Sequence, residues 1–239
     1  MPSIGFDHIE LALPRIADAV PFLVGVLGGV PSTGAQGGPE FRFGTWHYAN
    51  GGRIEVIEPI GDDGFVHRFL AGRGPGIHHV TFKVPSLDEA CDRARARGYD
   101  IVSYDDSDEE WKTAFLHPKQ ALGIVVQFAE TPVLDGPYLW TPPVTATAPP
   151  PPVHVLGLRM RVSVPDRAHV QWVEVLRGAC AERAAERLVY HWPDSPMSIT
   201  VEVDPTVAEG PVAIELAADR PLALPAGPVL GAVFSAKGA

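Results

Sequence analysis

Four residues of this 239-residue chain have the types and spacing to hold a divalent metal: His8, Glu55, His79 and Gln127. Each stands in a short, otherwise apolar stretch that reads as a strand, where alternate side chains share a face. Phe6, His8 and Glu10 share one face, and Glu55 and Ile57 another. Ile77, His79 and Thr81 share a third, and Val125, Gln127 and Ala129 a fourth. His8 recurs as His79, and Glu55 as Gln127, after roughly 70 residues, the mark of an internal repeat. A pseudo-two-fold axis between the two copies would bring all four to one point. Two imidazoles, one carboxylate and one amide oxygen suit a divalent transition metal such as Co, Mn, Ni, Zn or Fe. Positions would remain open for water or substrate. A lone histidine in a strand is ordinarily a structural residue, and Glu55 could lie on an exposed edge. The recurrence at equivalent places is what favours a metal.

The elements that would carry these residues form a cycle. Ile4–Leu13 alternates like a strand, and Pro14 opens a helix running to Leu27, closed by Gly28 and Gly29. Phe41–Tyr48 and Arg53–Ile57 read as strands, with a short helix near 64–71. The cycle restarts at Gly76, with a strand Val80–Val84. Ser86, with Glu89 three residues on, is a capping box that starts a helix ending at Gly98. Ile101–Tyr104, Trp111–Leu116 and Gly123–Ala129 are its further strands. The expected class is α+β, with tandem βαβββ modules forming a curved mixed sheet around the metal.

A third cycle follows residues 141–152, TPPVTATAPPPP, which read as an extended, semi-rigid linker. It starts with the strand Leu156–Val164 and a helix from Pro165 to Arg177. Arg187–His191, Met197–Val203 and Pro211–Leu216 are its candidate strands, and prolines 221, 225 and 228 end the regularity. The domains are therefore expected at 1–131 and 153–239, joined by a linker over 132–152. The third, degenerate module lacks a mate within the chain. A homodimer is the expected state, with that module in a structural or dimerising role. It has Leu158 or Arg159 where the first module has His8, so no metal is expected there.

Composition narrows the function. Hydrophobic residues make up 46%, as in a globular protein, and 29 acidic residues against 19 basic give a formal charge of −10. No basic patch suits nucleic acid, and no apolar run is long enough for a membrane helix. The start MPSIGFDHIELAL lacks a leader's basic and apolar regions, so a cytoplasmic location is expected. Cys91 and Cys180 each fall in an expected amphipathic helix, as reduced thiols.

Several motifs carry a resemblance. They are Phe65-Val66-His67-Arg68-Phe69-Leu70, Gly74-Pro75-Gly76-Ile77-His78-His79-Val80-Thr81-Phe82, Ala114-Phe115-Leu116-His117-Pro118-Lys119 and Gly123-Ile124-Val125-Val126-Gln127-Phe128. With Phe6-Asp7-His8-Ile9 and Ile54-Glu55-Val56-Ile57-Glu58-Pro59, they span nearly all of 1–131. This region resembles the methylmalonyl-CoA epimerases of the vicinal-oxygen-chelate (glyoxalase/bleomycin resistance/dioxygenase) superfamily. The resemblance implies a metal on His8, Glu55, His79 and Gln127, with His78 structural. It also implies a small-molecule substrate and removal of a proton beside a thioester carbonyl through an enolate. In the epimerases the last-strand ligand is a glutamate that doubles as base. Gln127 can ligate through oxygen but cannot take a proton. Glu55 is then the candidate base, with Glu40 and Glu10 weaker ones. Trp46, Trp111, Phe115, His117 and Lys119 are candidate pocket residues. A glyoxalase-type lyase acting on a thiol hemithioacetal is the alternative enzyme. An Fe(II) extradiol dioxygenase would also use two histidines and a carboxylate. A bleomycin-resistance-type binding protein is the non-catalytic alternative.

Overall fold

In GFDHIELA alternate apolar residues extend the chain as β1 (Gly5–Ala12), with Ile9 and Leu11 wholly buried. The computed structural model of the protein describes residues 3–132 and 148–237. A 3-10 turn (Ile16–Ala19) leads into a short α1 (Val20–Leu23), and 24–27 is turn, so the helix expected to run to Leu27 is broken into pieces. Then come β2 (Val30–Gln36), β3 (Phe41–His47), β4 (Arg53–Pro59) and α2 (Phe65–Arg73).

The second cycle is β5 (Gly76–Lys83), α3 (Leu87–Arg95), β6 (Ile101–Asp105), β7 (Lys112–Leu116) and β8 (Val125–Glu130). Ser86 caps α3 as expected, its Oγ accepting from Glu89 N at 3.3 Å. Leu87, Ala90, Cys91 and Ala94 form the buried stripe of that helix. The third cycle is β9 (His154–Val162), α4 (Pro165–His169) running into a π-helical turn (Val170–Val175), β10 (Ala179–Arg183), β11 (Arg187–His191) and β12 (Ser198–Val203). β13 (Gly210–Ala217) and β14 (Phe234–Ala236) follow.

The strands belong to two mixed sheets, and each module orders its strands alike: β2-β3-β4-β1, β6-β7-β8-β5 and β10-β11-β12-β9. In each the first strand runs parallel to the last, and the rest pair as antiparallel neighbours. The α+β class and the βαβββ repeat are as expected.

Three expectations change. Cys180 lies on β10 and not in a helix, because the π-helical turn before it ends at Val175 and the chain turns out of it through Arg177, at φ +57°. Pro211–Leu216 does not close the third module, since β10, β11 and β12 already do so. Instead β13 pairs in parallel with β14, Ile214 beside Phe234. That is the first-to-last pairing of a fourth, truncated module. The count of modules is therefore not odd, and the reason for expecting a homodimer falls away.

Compact units cut across the linear division. One holds residues 3–7, 79–132 and 157–213; the other holds 8–78, 148–156 and 214–237. In the first, an aromatic core joins Phe82 to Trp192 at 4.7 Å between centroids and Trp172 to Trp192 at 6.3 Å. Trp192 Nε1 donates to Leu176 O at 2.7 Å. In the second, Ala12, Ile57 and Val66 form a cluster packed by Phe41, Phe65 and Phe69.

Most of the expected linker, 133–147, lies outside the described residues. Its far end is no free spacer: Val153 N donates to Leu27 O, and Ala49 N to Val153 O, both at 2.9 Å. Gly28, at φ +74°, permits this approach, since a Cβ there would lie 2.3 Å from Pro150 O.

Candidate metal centre

Two polar clusters arise in the same way, one from each of the first two modules. In the first module the parallel register sets Glu10 beside Glu55, and the antiparallel register sets Thr45 beside Glu55. His8, two residues before Glu10, shares its face. His8 Nε2 lies 3.6 Å from Glu55 Oε1, and Thr45 Oγ1 donates to Glu55 Oε2 at 2.6 Å. Glu10 and Glu55 share a hydrogen bond. His78 Nδ1 lies 3.5 Å from Glu10 Oε1, and the His78 ring packs on Phe65 and Phe69 of α2. Further along this face Ala12 and Ile57 pack with Val66 of α2. His8 and Glu10 are 3% and 2% exposed, so these groups are largely out of water.

Electrostatics follow from that burial. Desolvation is the main force pushing the Glu55 carboxyl up, to about 7; His8 opposes it, while the charge and hydrogen bond of Glu10 add to it and Thr45 pulls it back. A carboxyl raised above its unfolded value stabilises the fold fully below that value, and the contribution is lost as pH rises through the folded value. Metal-free protein is therefore expected to lose thermal stability between about pH 5 and pH 8. Melting in the presence of a chelator at constant ionic strength measures this. A transition temperature that rises over that range would contradict the arrangement.

In the second module the register sets Thr81 beside Gln127 and Phe115 beside Gln127. His79 precedes Thr81 by two residues, as His8 precedes Glu10. Gln127 Oε1 accepts from Thr81 Oγ1 at 2.7 Å and lies 2.9 Å from His79 Nε2, which donates to it in the Nε2–H tautomer. The Phe115 ring stands nearly perpendicular to His79, 6.1 Å between centroids.

Each cluster fits half of a metal's donor set. Adjacent ligands with bonds of roughly 2.1 Å stand about 3.0–3.4 Å apart, for octahedral or tetrahedral angles. The separations of 2.9 Å and 3.6 Å bracket that edge. The buried Glu10 and Glu55 also form a doubly acidic site, where a cation would relieve repulsion between the two carboxylates.

The other candidates stand elsewhere. Trp46 is wholly buried and follows Thr45 in β3, so it faces away from Glu55 into the opposite core. Glu40 Oε2 accepts from Phe65 N at 3.2 Å, at the first turn of α2. Trp111 is 40% exposed, ahead of β7. His117 and Lys119 are exposed in the turn after β7, Lys119 N donating to His117 Nδ1 at 3.2 Å. Thr45 and Thr81 were not anticipated. Each is a strand neighbour of a last-strand residue, a relation visible only once register is known.

In the third module the corresponding face carries other chemistry. Arg159 stands beside Thr200 and Arg161 beside Glu202, with ion pairs from both arginines to Glu202 at 3.0 and 3.6 Å.

Residues 7–115 match the model of the Glyoxalase/Bleomycin resistance protein/Dioxygenase superfamily. An uncharacterised Bacillus subtilis protein is 28% identical over 127 residues, 52% of this chain and 90% of its own length. A Mycobacterium tuberculosis methylmalonyl-CoA epimerase is 24% identical with a TM-score of 0.48, over 53% of this chain and 87% of its own. A mutant 4-hydroxymandelate synthase of Streptomyces coelicolor is only 15% identical. Its fold nevertheless overlays 92% of this chain and 72% of its own, with a TM-score of 0.61. That overlay extends over the third cycle and beyond, well past the region that the superfamily model matches.

Proposed function

We propose that this chain, whose residues 7–115 match the model of the Glyoxalase/Bleomycin resistance protein/Dioxygenase superfamily, is a metal-dependent isomerase or epimerase acting on an acyl-CoA-like or related small acid. The superfamily spans metal-dependent epimerases, dioxygenases and glyoxalases. One observation carries the choice: both modules present a histidine and a last-strand oxygen donor at matching register positions, and one donor is a carboxylate with a pKa near neutrality.

In this reading His8, Glu55, His79 and Gln127 hold the ion. Bound, the metal would act as a Lewis acid on a carbonyl oxygen and stabilise an enolate. Glu55 is the proton acceptor. Burial raises its proton affinity in the metal-free protein, and to accept the proton while the ion is bound the carboxylate would have to loosen from it, since the cation makes it less basic. The hydrogen bond from Thr45 fixes the orientation of that carboxylate. Return of that proton from Glu55 to the face it left gives exchange with solvent at carbon; epimerisation also needs a proton delivered to the opposite face. Gln127 cannot take a proton, so it serves as an oxygen donor oriented by Thr81.

The test is exchange at carbon. A branched acyl-CoA incubated with metal-loaded protein in deuterium oxide is expected to take up deuterium beside its thioester, read by mass spectrometry. Conversion of a thiol hemithioacetal without such exchange would move the reading to a glyoxalase-type lyase. Binding of acids with neither reaction would move it to a non-catalytic binding protein.

A further inference from the structure

The unit built on the second and third modules holds a separate cleft of about 270 Å³, lined by Ser3, Pro85, Glu89, Arg93 and Arg177 among others. Two guanidiniums against one carboxylate give it a positive balance in a chain of formal charge −10. Neither arginine forms an ion pair with a carboxylate among the described residues. Other arginines nearby do: Arg97 pairs with Glu174 at 2.8 Å, and Arg95 with Asp92 at 2.9 Å.

The two arginines differ in what the fold explains. Arg93 is half-buried, and its Nε donates to Val175 O at 3.1 Å, a carbonyl at the end of the π-helical turn. That bond fixes the guanidinium at the cleft and satisfies a helix terminus. Burial and the nearby charge of Arg177 both disfavour its charged form, so the two heads are electrostatically close. Arg177 has no comparable structural task. Its side chain makes no hydrogen bond among the described residues. Its backbone is at φ +57°, where glycine is the usual residue after a helix end. The backbone there needs glycine's freedom, yet the position carries a long cation turned to the same cleft as Arg93.

We propose that the Arg93–Arg177 cleft binds a phosphate-type dianion, either free phosphate or the phosphomonoester of a larger molecule. Guanidinium forks match phosphate oxygens in pairs, and a dianion relieves the repulsion between the two cations. Glu89, on the same wall, disfavours weak monoanions more than a dianion held by both arginines. Asp194 accepts from Ser3 Oγ, one of the residues that line the cleft.

Arg177→Gly separates the anion site from the fold, because glycine suits the backbone at that position. Titration calorimetry with inorganic phosphate and with phenyl phosphate is expected to show saturable binding to the full-length protein. Arg177→Gly is expected to weaken it by about tenfold or more while the melting temperature holds or rises. Arg177→Lys is expected to fall between, keeping the charge without the fork. Tighter binding of phenyl phosphate than of phosphate would assign the site to a phosphomonoester; equal binding would assign it to the free ion. No saturable binding of either probe, or equal binding by wild type and Arg177→Gly, would overturn the proposal.

Discussion

Alanine at His8 or at His79 is expected to weaken divalent-metal binding by at least about 100-fold, since loss even of a ligand's supporting partner costs 10–100-fold. The two changes should be nearly equal. His8 lies beside Glu55 and His79 beside Gln127, in clusters built by the same register. A site shared by both histidines loses one of four donors in either case. Independent structural roles predict another pattern, in which His8→Ala leaves affinity untouched and only His79→Ala frees Gln127 and Thr81 from their hydrogen-bonded group. Equilibrium dialysis with a single metal on each variant separates the two, and unequal effects would break the shared site.

Glu55→Gln is expected to leave most metal binding and to lower carbon exchange by about 10²–10⁴-fold, the usual contribution of a general base. The amide keeps an oxygen donor, as Gln127 already does in the equivalent place, but cannot accept the proton. The same substitution removes a buried acid whose ionisation the site disfavours. Metal-free Glu55→Gln protein should therefore lose the decline in stability expected between about pH 5 and pH 8, and be at least as stable as wild type at the upper end. Full exchange activity with the glutamine in place would remove Glu55 from the chemistry and direct attention to Glu10, its buried neighbour.

How far the sequence reveals this site depends on what each residue touches. The four ligand candidates were legible because polar residues in the middle of apolar strands stand out, and because they recur in order. Thr45 and Thr81 were not, since a threonine in a strand is ordinary and only register sets it beside Glu55 or Gln127. Trp46 misled for a related reason: it neighbours Thr45 in sequence but faces the other way, and one residue of error in a strand exchanges its faces.

The fold shows the same limit. Strands with one buried face were found, among them Arg187–His191, which matches β11 end to end. β2 and β10 were missed, because VPSTGAQ and ACAER lie at the outer edge of their modules and are largely exposed, so neither alternates. An exposed edge strand has no apolar face to betray it. β14 is three residues long and paired only to β13, too short for any periodicity. Missing it left the third module without a mate within the chain, the premise on which a homodimer was expected.

Elemental analysis of the purified wild-type protein tests the central claim most directly. About one equivalent of a divalent transition metal per chain, removable by a chelator and restored on resupply, is the expected result. Protein that takes up no divalent ion even when one is supplied would contradict the metal centre and leave His8, Glu55, His79 and Gln127 as a hydrogen-bonded core.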